Sequence, residues 1–273
     1  MAELKELTAY LDDLLKIKDF PHDASNNGLQ FEGGRTVNKA VFGVDGSNAL
    51  FSIAADLDAD FVFVHHGISW GSSLKRIVSL DARRIAMLAA NSISLYAAHL
   101  PLDAHPKIGH NALLSGMLKL KDIRPFGEYC GKSIGFSGTL PRETTLEKIY
   151  ETLDKKLASE GDFFCFGELE SKVSKVGVIS GGGAFPEAFS EAFEQGIDCL
   201  ITGEMGHSAC HYAREAGVSV LAMGHYRTET PGVLAVMECV RKQFGCVSKK
   251  ESEKLKVSPS ESEGEGGALA PKG

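Results

Sequence analysis

Two adjacent histidines end an apolar run in the first third of the chain, Phe61-Val62-Phe63-Val64-His65-His66-Gly67. Four β-forming side chains in succession indicate a strand buried on both faces, as in parallel α/β sheets. Such sheets bind their ligands beyond the carboxyl ends of the strands, where imidazoles are typical metal ligands. Because neighbouring strand residues point to opposite faces, the pair suits two metals better than one. Two polar residues satisfied at a strand end are the alternative.

Two later strands end with a shared spacing of histidine and carboxylate. The predicted strands cover residues 92–98 and 218–223, and each is followed by a histidine, three residues and an acidic side chain. The pairs are His99 with Asp103 and His225 with Glu229. The repetition indicates a site built from equivalent strand ends.

The surrounding elements also repeat. A strand, a turn and a helical stretch begin at Ala40 and lead to the strand at Phe61, and the same order leads from Val176 to Cys199. Alternating strands and helices of this kind predict an α/β fold with parallel strands. We therefore predict two similar α/β lobes that arose from an internal duplication.

The candidate metal ligands are His65, His66, Asp103, His225 and Glu229. Imidazole with carboxylate suits Zn, Mn, Fe, Co or Ni better than Mg or Ca, which prefer oxygen ligands. Five side chains are too many for one metal that keeps an open position for water. They suit two divalent cations about 3.5–4 Å apart with a bridging carboxylate, and water between such ions becomes a nucleophile near neutral pH.

Other residues near these motifs have weaker predicted roles. His99 is predicted to orient a ligand or to bind metal occasionally. His105 is a candidate proton donor, with an exposed loop histidine as the alternative. Gly181-Gly182-Gly183 can bind phosphate through backbone amides, although a tight turn explains it equally. Trp70 can stack on a base or simply cover the loop.

Composition excludes several classes of protein. The chain has 273 residues and a formal charge of −7, which argues against nucleic-acid binding. It has no stretch that suits a membrane span and no signal-peptide pattern. Its six cysteines form no Cys-x-x-Cys pair, which is typical of reduced thiols and predicts a cytoplasmic protein. Lys75, Arg76, Arg83 and Arg84 are interpreted as a solvated helix face, with binding of an anionic substrate as the alternative.

The predicted organisation has four parts. They are a first lobe with an N-terminal helix (1–126), a connecting strand-helix-strand segment (127–174), a second lobe with a closing helix (175–246) and a disordered tail (247–273). In the connecting segment, Pro141–Thr145 is predicted to open a helix. We expect Thr230-Pro231 to cap the closing helix, with the proline in its first turn.

The motifs together resemble the Nif-three-like family, whose members are dinuclear-metal proteins often labelled GTP cyclohydrolase I type II. The resemblance covers about residues 4–244. The motifs that carry it are Ser25-Asn26-Asn27-Gly28-Leu29-Gln30, His65-His66, His99-Leu100-Pro101-Leu102-Asp103 and Gly224-His225 with Glu229. It implies two related α/β lobes with the metals in the cleft between them, the same five ligands, and a ring-shaped homohexamer. Gly67 departs from the family, which often has proline there.

These observations predict a dinuclear metal-dependent hydrolase that acts on a small molecule, either nucleotide-like or phosphorylated. GTP cyclohydrolase-type ring opening, which begins with water attack on C8 of guanine, is the specific reaction that the resemblance suggests. Glu229 is predicted to bridge or assist, and His105 to transfer a proton. The alternative is a non-catalytic metal-binding protein that acts in partner interaction or metal handling, because structural and catalytic ligand sets overlap.

Overall fold

The protein is an α/β structure with two mixed sheets. The computed structural model describes residues 1–157 and 163–245, so the predicted tail lies outside the described residues. The strands are β1 (Ala2–Glu3), β2 (Gly28–Phe31), β3 (Thr36–Val37), β4 (Ala40–Asp45), β5 (Phe61–His66), β6 (Ser94–Ala97), β7 (Lys121–Tyr129), β8 (Lys132–Thr145), β9 (Phe164–Phe166), β10 (Lys172–Val178), β11 (Cys199–Thr202) and β12 (Ser219–Ala222). The helices are α1 (Leu4–Leu15), α2 (Asn48–Asp56), α3 (Ser79–Ala90), α4 (Leu100–Asp103), α5 (His110–Met117), α6 (Leu146–Asp154), α7 (Pro186–Gln195), α8 (Ala209–Ala216) and α9 (His225–Phe244).

The first sheet has the strand order β2-β6-β5-β4. Strands β4, β5 and β6 are parallel, and β2 pairs antiparallel with β6 at the edge. Phe61 to Val64 on β5 are fully buried, as expected of a central strand covered on both faces. This geometry brings the ends of β5 and β6, and the motifs that follow them, to one edge of the sheet.

The second sheet has the order β7-β8-β10-β11-β12-β9. Its strands β10, β11 and β12 are parallel, and β9 pairs antiparallel with β12. A parallel three-stranded core with an antiparallel edge strand therefore occurs in both sheets. The α/β prediction is confirmed, and the shared strand order supports the duplication, which itself stays a prediction. The predicted connecting segment, residues 127–174, contributes β8 and β9 to this second sheet.

The last helix packs on the first sheet, although it follows the last strand of the second. The buried side chains Val233, Val236 and Val240 of α9 belong to one core with Phe42 and Phe63 of β4 and β5. Burying such apolar surface contributes about 25 cal/mol per Å². This packing lays the amino end of α9 over the carboxyl end of β5, which positions the candidate ligands.

The start of α9 corrects the prediction that Thr230-Pro231 caps this helix. The helix begins at His225, directly after Gly224, whose φ of 93° lets the chain turn sharply out of β12. Pro231 therefore lies inside the helix. Proline is typical of the first turn of a helix because it lacks an N–H, but a helix that packs well on its neighbours tolerates this loss in its interior.

The helix predicted to open at residues 141–145 also begins later. These residues extend β8, and α6 begins at Leu146 with Thr145 as its N-cap. The threonine hydroxyl accepts a hydrogen bond from the backbone N–H of Lys148 at 3.4 Å.

None of the helices within residues 1–157 and 163–245 combines the length and apolar composition that a membrane crossing requires.

Candidate metal centre

The five predicted ligands meet where the two sheets adjoin. Glu229 lies at the centre of the cluster: its Oε1 is 3.5 Å from His65 Nε2 and 3.1 Å from His225 Nε2. Its Oε2 is 3.3 Å from His66 Nε2. Asp103 Oδ2 lies 3.6 Å from His65 Nε2. One carboxylate thus faces three imidazoles that come from two different elements.

Local structure explains how each ligand reaches the cluster. His65 and His66 end β5, and their rings lie 4.6 Å apart by centroid, close enough for both to face Glu229. Asp103 ends the short helix α4, which begins just after β6. His225 and Glu229 lie four residues apart at the start of α9, so they share one helix face.

The ring nitrogens are arranged as in metal-binding histidines. In His65, His66 and His225 the Nδ1 atom contacts a carbonyl or carboxylate oxygen, which leaves the Nε2 lone pair directed at the cluster. The partners are Ala98 O at 2.8 Å, Asp45 Oδ1 at 2.9 Å and Glu204 Oε2 at 3.2 Å, respectively.

Two buried polar atoms in the cluster have no hydrogen-bond partner, His65 Nε2 and Glu229 Oε2. Most buried polar atoms in proteins are partnered, so such a pair requires an explanation. Divalent cations would supply it, because imidazole nitrogen and carboxylate oxygen are both atom types that bind such ions. The donor set therefore fits metal ions.

His99 occupies the edge of the cluster. Its Nδ1 lies 2.9 Å from Asp23 Oδ1, and it can share an ion with His65 and His66, since one ligand atom from each lies within 4.8 Å of the others. The backbone N–H of His99 donates to Asn27 Oδ1 at 2.8 Å. This placement supports the predicted role as an orienting residue or occasional ligand, which stays a prediction.

Asp103 connects the two halves of the site. Its Oδ1 accepts a hydrogen bond from the hydroxyl of Ser180, which follows β10 of the second sheet, at 2.9 Å. The backbone N–H of Ser180 donates in turn to Asn111 Oδ1 at 2.6 Å. The carboxylate is thereby held by both sheets.

Sequence reasoning missed several residues of the site, namely Asp23, Asp45, Ser180, Glu204 and His110. Asp45 had a detectable signal, because it ends β4 and pairs in register with His66 on β5. Ser180 and Glu204 likewise follow the ends of β10 and β11, whereas Asp23 lies in a loop and His110 begins a helix, and no local pattern indicated either.

His105 is not brought to this cluster. Its Nδ1 accepts hydrogen bonds from the backbone N–H groups of Lys107 and Ile108, at 3.2 and 3.1 Å, and it lies beside Leu14. Burial lowers its pKa. Its predicted part in proton transfer stays a prediction, and its observed contacts stabilise a turn.

A cavity of about 330 Å³ opens onto the cluster. Its lining residues are His66, Trp70, His99, Leu100, Asp103, Tyr129, Ile134, Ile179, Ser180, Gly182, Gly183, Phe185, His225 and Glu229. Besides the histidines, three are aromatic, and within the described ranges none of the lining residues is lysine or arginine. Lys75, Arg76 and Arg83 are solvent-exposed and do not line it.

Charge interactions shift the pKa values of the ligands. Burial alone would lower the pKa of His65, but the carboxylates of Glu229 and Asp103 outweigh it and raise the value to about 9. The pKa of His225 is likewise about 9, because Glu229 and Glu204 oppose the effect of burial. Three imidazoles hold the pKa of Glu229 well below its ordinary value despite burial.

These shifts predict opposite pH trends for the metal-free and metal-loaded protein. A histidine with a raised pKa stabilises the fold fully below its unfolded value of 6.5 and loses that contribution as the pH rises through about 9. We therefore expect the melting temperature of the metal-free protein to fall between pH 6.5 and 9. Metal binding displaces these protons, so zinc affinity should rise over the same range. Thermal unfolding over this pH range measures the melting temperature in chelator and its increase when zinc is added. If the two quantities change in the same direction with pH, the prediction is wrong.

Comparison with known proteins identifies the family of the chain. A family model described as Duf34/NIF3 (NGG1p interacting factor 3) matches residues 2–261. A relative from Archaeoglobus fulgidus, named GTP cyclohydrolase 1 type 2 homolog, is 42% identical over 242 residues, covering 89% of this chain and 94% of its own. A relative of the same name from Pyrococcus horikoshii is 43% identical over 241 residues, covering 88% and 94%.

Solved structures give the same result. A protein from Thermus thermophilus superposes with a TM-score of 0.77 at 36% identity, covering 90% of this chain and 96% of its own. A protein called ybgI, of unknown function, superposes with a TM-score of 0.78 at 33% identity, covering 89% and 94%. The resemblance inferred from the motifs is confirmed, and the chain belongs to the Duf34/NIF3 family.

Proposed function

We propose that this chain is a hydrolase that uses two divalent cations and acts on a nucleotide-like small molecule. The observation that carries the proposal is the convergence of three imidazole Nε2 atoms on Glu229, with Asp103 beside His65 and both carboxylates lining the cavity. Two such cations, when bound, lower the pKa of water and polarise the bond to be cleaved.

The ligand geometry supports two ions. His66, His225 and Glu229 form one group whose ligand atoms lie within 4.8 Å of one another, and His65 with Asp103 belongs to a second. Glu229 contacts both groups, since Oε1 lies near His65 as well as His225. We assign Glu229 as the bridging ligand. Because it lines the cavity, it is also our candidate for assisting the reaction.

The cavity walls support a flat ring as the bound part of the substrate. Trp70, Tyr129 and Phe185 are of the type that stacks on heterocycles, whereas no lining side chain in the described part of the chain is a lysine or arginine that could bind phosphate. The relatives' name, GTP cyclohydrolase 1 type 2 homolog, suggests ring opening of a purine nucleotide. In the proposed binding mode the base enters the cavity and the phosphates extend outward, where the exposed Lys75 and Arg76 are candidate contacts.

The first test measures metals per chain by plasma mass spectrometry on protein purified without chelator or nickel resin. Two ions, together with turnover in a screen that begins with GTP and phosphoesters, would support the proposal. Metal without turnover, in a site closed to water, would favour the non-catalytic metal-binding alternative. No metal after soaking in zinc, manganese and iron would refute both.

Removing the ring of Trp70 should weaken substrate binding without emptying the metal site. Its indole lies 5.0 Å from the His99 ring by centroid and donates to Gly67 O, so it forms a fixed wall. Stacking on a base contributes about 1–3 kcal/mol, so Trp70→Ala should raise KM about tenfold or more. Trp70→Phe keeps an aromatic face and should retain most of the affinity. Equal KM values for both variants and the unmodified protein would contradict the stacking role.

The proposal also covers the cellular location and the oligomeric state of the protein. The cysteines at 130, 165, 199, 210 and 239 are free thiols, which supports a reducing, cytoplasmic environment. We also propose the homohexameric ring that the family resemblance implies. Light scattering coupled to gel filtration tests it directly, and a monomer at micromolar concentration would refute it.

A further inference from the structure

A fifth histidine lies against the candidate metal centre. His110 begins α5, is fully buried, and its ring centroid lies 4.6 Å from that of His65. One of its nitrogens lies within 4.8 Å of ligand atoms of His65 and Asp103. His110 does not line the cavity, so it contacts the site from behind the ligands.

The hydrogen bonds of His110 differ from those of the other histidines in the site. Its Nδ1 lies 3.1 Å from the backbone nitrogen of Gly232 on α9. An amide N–H can only donate, so Nδ1 must carry the lone pair and the neutral ring must carry its proton on Nε2. In His65, His66 and His225, by contrast, Nδ1 faces an oxygen and the lone pair is on Nε2.

The contact between His110 and Gly232 is closely fitted. A Cβ at position 232 would lie 2.6 Å from His110 Nδ1, so only glycine lets the two approach. Pro231, inside α9, directly precedes this amide.

The opposite nitrogen is left without a partner. His110 Nε2 is buried and makes no hydrogen bond, which is costly for a polar N–H. The carboxylate of Asp103 can accept a hydrogen bond, and one of its oxygens lies within 4.8 Å of a ring nitrogen of His110, a distance that one water molecule can span. The Ser180 hydroxyl already occupies Asp103 Oδ1.

We propose that His110 is a positioning residue of the metal centre: a neutral imidazole, set by Gly232, whose Nε2–H donates to the Asp103 carboxylate directly or through water. It orients Asp103 toward its ion and is not itself a ligand. The proposal rests on the metal site proposed above. Outer hydrogen-bond partners of this kind typically contribute about 10–100-fold to metal affinity.

The tautomer can be measured without turnover. In protein with ¹⁵N-labelled histidine, we expect Nε2 of His110 to be protonated and its Nδ1 to carry no proton; the His110 signals are those missing from a folded His110→Asn or His110→Gln variant. This state should persist after zinc is added. A proton on Nδ1, or loss of the Nε2 proton on zinc binding, would overturn the proposal, and the latter would make His110 a ligand. Failure to bind zinc at all would refute the proposed function but leave the metal-free tautomer measurable.

Two substitutions test the roles of the two ring nitrogens of His110 separately. Asparagine retains an acceptor for the Gly232 amide but cannot reach Asp103, so His110→Asn should lower zinc affinity about 10–100-fold in a chelator competition. Glutamine places an N–H near the position of Nε2, so His110→Gln should retain more of the affinity. Equal losses in both variants, or no loss in His110→Asn, would overturn the proposal. If either variant unfolds, the tautomer of the unmodified protein still decides.

Discussion

Glu229→Gln is expected to leave the purified protein with at most one of the two proposed ions per chain. The carboxylate contacts the Nε2 atoms of His65, His66 and His225, and an amide has neither its charge nor its capacity to bridge two cations. Turnover should be lost with the metal. Plasma mass spectrometry after passage through a metal-free column measures the content.

The matched control is Glu204→Gln, which changes a carboxylate that contacts the same His225 from the outer side, at 3.2 Å from Nδ1. Glu204 is largely exposed and touches no ion in the proposed centre, so its loss should weaken metal affinity about 10–100-fold without changing the stoichiometry at saturation. Full metal content in Glu229→Gln, or equal loss in both variants, would rule out the bridging role.

Gly181→Ala is expected to empty the metal centre although it changes no ligand. A Cβ at this position would lie 2.1 Å from Glu229 Oε1 and 2.9 Å from His225 Nε2. The backbone cannot easily retreat, because Gly181 O accepts hydrogen bonds from the amides of Gly203 and Glu204. Its φ of 57° adds about 1–2 kcal/mol of strain for any residue with a Cβ. Metal content and melting temperature should both fall.

Gly182→Ala provides the comparison. It lies one residue further along the same turn, has no positive φ, and its Cβ would meet only Glu204 Oε1, at 3.7 Å, an ordinary contact. We expect near-native metal content and stability. A Gly181→Ala variant that binds metal as well as Gly182→Ala does would show that the turn is not packed against the ligands. The triple glycine would then act only as a flexible connection.

The sequence predicted the ligands better than it predicted their surroundings. His65-His66, His99 with Asp103, and His225 with Glu229 follow strands whose apolar character is visible locally, and parallel strands end at a common edge. The local sequence therefore predicts that these side chains lie close together at that edge. The boundary of α9 was wrong because Pro231 resembles a start signal, whereas packing on the first sheet extends the helix back to His225.

By itself, then, the sequence determined the α/β class, the strand ends that carry histidine and carboxylate, and the family, because these depend on residue identity and local periodicity. Only the tertiary structure decided which atoms contact the imidazole rings of the site and the Asp103 carboxylate from outside. Asp45 on His66, Asp23 on His99 and Ser180 on Asp103 are contacts between segments 21 to 77 residues apart. The placement of such partners depends on how α9 crosses to the first sheet and how the two sheets adjoin, and that packing is a property of the whole folded chain.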